Sequence, residues 1–257
     1  MSNFIKIIAL SNPGTADDLR IGKSLIDGNG NIVSGKYIDE IDKLIDGTIT
    51  EYSNQSIDIV GVGAFFSCTS LSSISFPVCT YIDEGAFDSC TNLTTVSFPA
   101  CTYIAWAAFA SCTSLTSVSF PACTYIDGWA FVDCTSLSTA NFPVCSYIDN
   151  YAFNSCTSLT SVSFPVCTEI GYRAFEYCTN LTSVSFPACA YIDTEAFAHC
   201  TSLTSLTLGG STVCTLSGNA FLDTHSSLSI YVPASLVNAY KSATNWAAYS
   251  SRITAIV

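Results

Sequence analysis

One 22-residue sentence recurs through the middle of this chain, and a chain written that way has one kind of architecture open to it. The first strict copy reads CTYIDEGAFDSCTNLTTVSFPA, from Cys79 to Ala100. Five more copies begin at Cys101, Cys123, Cys145, Cys167 and Cys189. Residues Ile57 to Val78 form an earlier unit, with Ile57 where later units carry Cys. A looser unit runs from Val213 to Val232, behind a short insertion at Gly209 to Thr212. A fixed period of about twenty residues marks a solenoid, in which each unit buries its apolar face only against its neighbours. About eight rungs are expected.

One unit shows how a rung is built. In Cys101 to Ala122, the stretch Ser117-Val118-Ser119-Phe120 alternates polar and apolar, as a half-buried strand does. Pro121 then removes a ladder donor and ends the strand. Ile104, Ala108, Phe109 and Cys112 fall at helical spacing, which predicts a short inward-packed helical turn. Strands one period apart stack in parallel, about 4.8 Å apart. The predicted strand cores are Ile74, Val96, Val118, Ala140, Val162, Val184, Leu206 and Ile230. Beside them runs a column of Phe76, Phe98, Phe120, Phe142, Phe164 and Phe186, ending in Leu208 and Val232. The expected fold is an α/β repeat solenoid with a parallel sheet on one face and short helical turns on the other.

Leu93-x-x-Val96-x-Phe98-x-x-Cys101 matches the L-x-x-L-x-L-x-x-C core of leucine-rich repeats. The preceding Ala86-Phe87-x-x-Cys90-Thr91-x-Leu93 resembles the AFxxCxxL half of the BspA-like leucine-rich repeats, and the resemblance covers about residues 57–232. The tail Ile230-Tyr231-Val232-Pro233 through Lys241, followed by Asn245-Trp246, is similar to the C-terminal cap of such proteins. Read from its residues, Pro233 opens an amphipathic helix that lays Leu236, Val237, Tyr240 and Trp246 over the last rung. An open solenoid end needs such a cover. The resemblance implies surface adhesins of bacteria that engage host proteins or other cells.

Of the 257 residues, 49% are hydrophobic and 11% charged, and the formal charge is −12. Such acidity argues against nucleic acid as a partner. No segment approaches the roughly 20 apolar residues of a membrane span, so no membrane insertion is expected. The start, MSNFIKIIALSNPG, lacks the basic region and apolar length of a signal peptide. An extracellular place, on a virion or a bacterial surface, is the expectation.

Thirteen of the fourteen cysteines fall in two columns. A disulfide ladder or a row of metal sites is one reading; small buried hydrophobes is the favoured one. No C-x-x-C pair is present, and stacked like residues point the same way rather than at each other. Cys214 stands outside both columns and is expected to be the most reactive thiol. The column Asp83, Asp127, Asp149, Asp193 is interrupted by Ala105 and Gly171, which suits turn caps better than calcium ligands. The outward Ser and Thr columns suit a solvent-facing strand better than an ice- or glycan-binding array.

Four positions of each unit vary while the rest barely change. Their i, i+1, i+4, i+5 spacing predicts one exposed helical face. Large aromatics occupy several of them. Trp106, Trp129, Tyr151, Tyr172, Arg173, Glu176, Tyr177 and His199 are the candidate binding residues. Trp, Tyr and Arg anchor interfaces, and exposed aromatic patches mark partners; drift at solvated sites is the competing reading. No catalytic residue, metal site or cofactor is expected, since the two histidines, His199 and His225, meet no nucleophile in the repeats. The expected function is binding a protein or glycan on a cell surface. The alternatives are an adhesin for host matrix proteins and a structural spacer.

Residues 1–56 read as a capping or attachment segment, 57–232 as the solenoid and 233–257 as a helical cap. A hairpin is expected from Lys23 to Val33 around Asp27-Gly28-Asn29-Gly30. A strand is expected over Leu44 to Glu51. The stretch Gly14 to Lys23 and on through Tyr37 is similar to short segments of tail and virion proteins from phages of gut Firmicutes. That resemblance implies an attachment role on a virion.

Overall fold

A computed structural model describes residues 25–26, 32–33, 50–53, 55 and 57–256. The expected hairpin is present as Leu25–Ile26 paired antiparallel with Ile32–Val33. Apart from those two short strands, the phage-like stretch lies outside the described residues. Most of the strand expected over Leu44 to Glu51 lies outside the described residues; a strand at Glu51–Ser53 stands one unit ahead of Ser73–Ser75 and parallel to it.

The expected strand column is there. Three-residue strands run from Glu51–Ser53 through Ser117–Ser119 to Ser205–Thr207, and the column closes with Ser229–Val232 and Ile253–Ala255. Its register is one unit per rung, so Ala140 lies opposite Val118 and Val162. The column does not form one continuous sheet. It divides into three, with breaks after Thr95–Ser97 and after Ser161–Ser163. The Phe rings beneath are more widely spaced at the same two points. Centroids of Phe98 and Phe120, and of Phe164 and Phe186, lie 6.0 and 6.1 Å apart across the breaks, against 5.2 to 5.7 Å within the sheets. The wider spacing is confined to this side of the coil, since Phe87 and Phe109 stay 5.0 Å apart across the first break.

A second parallel sheet, not foreseen from the repeat, lies where the chain turns back. Eight two-residue strands stack in it, from Ile59–Val60 through Tyr103–Ile104 to Thr215–Leu216. Each buries an Ile, Val or Leu and leaves its partner half-exposed or, at Glu169 and Thr215, exposed. Tyr81, Tyr103, Tyr125 and Tyr147 stack there with centroids 4.9 to 5.1 Å apart.

The expected helical turns are tight turns instead, and hydrogen-bond accounting explains why. Within a rung, Ala86, Asp88 and Cys90 donate to the carbonyls of Asp83, Gly85 and Phe87. The intervening N–H groups of Gly85, Phe87 and Ser89 donate to Trp106, Ala108 and Ala110 of the next rung. Alternate amides are therefore satisfied within and between rungs. An α-helix is about 10 Å across and cannot stack at the roughly 5 Å spacing the strands impose. The alternation requires two residues per rung in the left-handed region, such as Gly85 and Ser89 at φ of 57° and 62°.

Polar side chains in the turns are consumed locally. Oδ1 of Asp83, Asp127, Asp149 and Asp193 accepts the N–H of the following residue at 2.6 to 2.8 Å. Asp127 and Asp149 also accept the hydroxyls of Tyr103 and Tyr125. At Gly171 the cap is supplied from the rung before, by Asn150 Oδ1 to the N–H of Tyr172 at 2.8 Å. A Cβ at residue 171 would meet Asn150 N and Asp149 C at 2.8 Å, which excludes Asp there. Outward hydroxyls are also spent: Thr102 and Thr124 donate to the carbonyl of the rung before.

Inside, columns of like residues touch. Phe142 meets the rings of Phe120, Phe131, Phe153 and Phe164. All fourteen cysteines are free thiols. Their S–H groups have a use beyond packing. Cys90, Cys112, Cys134 and Cys156 donate to the Phe carbonyl of the previous rung at 2.9 to 3.2 Å. Cys214 corrects the sequence reading. The insertion shifts the chain so that Cys214, not Val213, turns inward; it is fully buried, 3.7 Å from the sulfur of Cys189. That contact and burial raise its thiol, while Cys68 is the partly exposed one.

The C-terminal cap closes the ladders with polar atoms. Ala234–Leu236 and Ala247–Arg252 are 3-10 turns flanking a short α-helix, Val237–Ser242. Tyr240 and Trp246 are buried: the N–H of Cys214 donates to the Tyr240 hydroxyl at 2.9 Å, and Trp246 Nε1 donates to the Cys214 carbonyl at 2.7 Å. The strand Ile253–Ala255, absent from the sequence reading, pairs with Ser229–Val232.

Two predictions follow from this packing. Gly171→Ala forces two backbone atoms to move and should cost about 1–3 kcal/mol, read as a lowered Tm in thermal unfolding. An unchanged Tm would contradict the close approach. The thiols make a second. Burial pushes Cys79 up to about 11 and Cys101 and Cys145 up to about 12, and raises Cys90, Cys123 and Cys134 further, from an ordinary 9.0. Above that ordinary value the unfolded chain releases protons that the folded chain keeps. Stability is therefore intact below it and falls above it, by about 1.4 kcal/mol per pH unit for each thiol. The thiols share this direction, so their contributions to the loss accumulate. Circular dichroism should show cooperative unfolding within about two pH units above that point. A fold intact at about pH 11 would overturn the argument.

Candidate functional site

The variable positions lie in the tight turns, and the turn geometry decides how each is displayed. The first and second of the four flank the start of the turn; the second and fourth are the left-handed residues. Gly63 and Gly85 fill the second position in the first two rungs. Ala107, Trp129, Tyr151, Arg173 and Glu195 fill it afterwards, at φ between 53° and 63°. A bulky residue there is uncommon, and the left-handed conformation costs roughly 1–2 kcal/mol.

The structure joins five of the candidates into one stripe. Trp106 and Trp129 are 47% and 39% exposed, with ring centroids 6.5 Å apart. Trp106 stands over Gly128, where a Cβ would come 3.5 Å from its ring. Trp129 stacks on Tyr151 at 4.5 Å, and Tyr151 meets Tyr172 edge-on at 5.3 Å. The Arg173 guanidinium carbon lies 4.9 Å from the Tyr172 ring centroid and 6.0 Å from that of Tyr151. Ala107, Ala110 and Val132 form a small buried apolar bed in the same turns.

Glu176 departs from the expectation of an exposed face. It is 5% exposed, accepts a 2.8 Å hydrogen bond from Asn154 Nδ2 and lies 3.6 Å from Arg173 Nε. In several rungs the third position turns inward because these turns are not helical; Ala110, Val132 and Ala198 are buried there too, whereas Phe66 is exposed and Asp88 and Asn154 are half-buried. Arg173 Nε donates to Glu195 at 2.6 Å, so its charge is held between two carboxylates and its titration is raised. Tyr177 and His199 lie apart from the stripe, in the fourth column. Their rings stack at 4.5 Å, and His199 Nδ1 is 3.3 Å from Asp223.

One polar pair escaped the sequence reading: His225 Nδ1 lies 2.7 Å from Ser227 Oγ. The Ser227 N–H also donates to the same nitrogen at 3.2 Å, which makes this the closure of an exposed local turn. The left-handed residues were missed as well. Their signal was legible, since Gly63 and Gly85 mark the position in the first two units. Chemically the stripe is a row of mutually tilted aromatic rings ending in a paired guanidinium, suited to contact and not to bond-making.

The family model agrees with this architecture. The family model described as BspA type leucine rich repeat region matches residues 48–145 and 143–247, in six copies. Comparison with curated proteins yields no match. Among solved structures, a leucine-rich repeat protein from Bacteroides ovatus is 16% identical over 83% of this chain and 85% of that chain, with a TM-score of 0.40. The T. pallidum Leucine Rich Repeat protein is 27% identical over 65% of this chain and 72% of that chain, with a TM-score of 0.46. A leucine rich cell surface protein from Faecalibacterium prausnitzii is 19% identical over 72% of this chain and 78% of that one, with a TM-score of 0.28. No helix among the described residues is long and apolar enough to cross a membrane. With its repeats matched over most of its length, the chain belongs to the BspA-type leucine-rich repeat family.

Proposed function

We propose that this protein is a non-catalytic recognition module that engages a protein or glycan on a cell surface through the Trp106–Trp129–Tyr151–Tyr172 stripe. The observation that carries the reading is where the aromatics stand. Trp129 and Tyr151 occupy left-handed positions that earlier rungs give to glycine. Folding alone favours glycine there. Strain of this kind is retained where function repays it. Trp, Tyr and Arg are also the side chains that most often carry binding energy. The solenoid holds them in contact as one row before a partner arrives, which lowers the ordering cost of binding. A bacterial surface recognised from a virion and host matrix recognised by an adhesin are the two settings this reading allows.

The test is binding of the labelled protein to intact gut bacteria, with mucin and matrix proteins alongside. Replacing Trp106, Trp129, Tyr151 and Tyr172 by Ser should abolish binding and leave the circular dichroism spectrum unchanged. Selectivity for one bacterial strain supports the virion setting, and capture by host proteins supports the adhesin. No binding by the unaltered protein, or full binding by the variant, rejects the stripe. A single change separates function from fold. Tyr151→Gly relieves about 1–2 kcal/mol of backbone strain and forfeits ring contacts of about 0.5–1.5 kcal/mol each. Its Tm should stay near that of the parent while affinity falls.

A further inference from the structure

We infer that the Trp106–Trp129 end of the stripe takes an arginine side chain from a basic segment of a protein, a reading that rests on the stripe being the recognition surface. Charge is spread unevenly over the repeats. Residues 57–213 hold eleven Asp and Glu against one Arg and no Lys. Nine of those eleven fall in the tight turns that carry the stripe or at the caps of those turns. The outward strands Thr95–Ser97, Ser117–Ser119 and Thr139–Asn141 carry none. The aromatic rings therefore stand on the acidic side of the coil, and a partner that meets them meets that charge as well.

One end of the stripe already holds a guanidinium. Arg173 lies 4.9 Å from the Tyr172 ring centroid, its Nε donates to Glu195, and Glu176 is 3.6 Å away. Ring and carboxylates together hold that charge. The other end has the same two ingredients and no cation of its own in the repeats. From Ile57 to Tyr172 the sequence contains no Lys, Arg or His. Trp106 and Trp129 are both exposed. Glu84 stands in the rung before Trp106, where the Gly85 N–H donates to the Trp106 carbonyl at 2.9 Å. Asp127 is fixed at both oxygens, by the Gly128 N–H at 2.7 Å and the Tyr103 hydroxyl at 2.8 Å, and Gly128 lies against the Trp106 ring. Glu84 and Asp133 are exposed. The ion pairs among the described residues lie further along, at Arg173 and His199. Trp is the aromatic that attracts a cation most strongly, and a guanidinium can meet a ring and a carboxylate at once. A neutral sugar would gain nothing from the carboxylates, and an acidic one would be repelled.

The test is titration of the full-length chain, at fixed ionic strength, with a fluorescent peptide of alternating Arg and Gly. Its counterpart carries citrulline in place of arginine, which keeps the shape and removes the charge. The arginine peptide should bind about tenfold more tightly, or better, than the citrulline peptide. It should shift the indole N–H resonances of Trp106 and Trp129 and leave that of the buried Trp246 in place. Trp106→Ser and Trp129→Ser should each weaken it by about fivefold. Glu84→Gln should weaken it more than Glu169→Gln, which removes the same charge from an exposed strand position outside the turns. Equal binding of the two peptides, or indole resonances that stay put, overturns the inference. Equal losses for Glu84→Gln and Glu169→Gln also overturn it and assign the binding to net charge. A neutral oligosaccharide that shifts the two indole resonances where the arginine peptide does not overturns it in favour of a glycan. None of these results removes the stripe itself, which falls only if the variant lacking all four aromatics keeps its binding to cells.

Discussion

Backbone hydrogen bonding between rungs at about 5 Å is the constraint on which everything else in this molecule depends. It operates on three sides of each coil: the three-residue strands, the two-residue strands and the alternating amides of the turns. Once the spacing is imposed, no rung can contain a helix. Each side chain must then pack on its own counterpart above and below. Phe on Phe, Tyr on Tyr and Cys near Cys are consequences of that geometry. So is the use of thiols as donors to carbonyls in a space too tight for water.

The same constraint shapes the surface. The turns can satisfy their alternate amides only by placing two residues per rung in the left-handed region. Those residues are presented outward with little freedom. A side chain placed there is costly and rigid, and the chain has put Trp129, Tyr151 and Arg173 in such places. Arg173 shows the balance that results. It lies over the Tyr172 ring yet is held by Glu195 and the buried Glu176, in the barren acidic surroundings of the repeats.

A stack has two ends, and each leaves ladder groups unpaired. At the C-terminal end the chain solves this with side chains. Tyr240, Trp246 and Asn245 bond the backbone of Cys214 and Leu216, and a final strand covers the column. Those residues follow the last 22-residue unit in the sequence. The N-terminal end is continued instead by a strand in register, Glu51–Ser53.

The periodicity of this sequence by itself determined the solenoid, the register, the strand cores and the apolar columns. A residue such as Val118 repeated every 22 positions between serines has one place to go. The capping role of the Asp column was legible for a similar reason, because its gaps at Ala105 and Gly171 are tolerated by a cap. The inward direction of Glu176 and Cys214 was not legible. Periodicity gives position along the chain, whereas direction depends on the turn, and a helical period of i, i+4 is mimicked by two successive tight turns. Only the tertiary structure decided that the amides alternate between rungs. That alternation settled which variable residues face outward, where the aromatics meet and why the stripe is rigid. The physical reason is that the bonds responsible run between units, and a single repeat does not contain them.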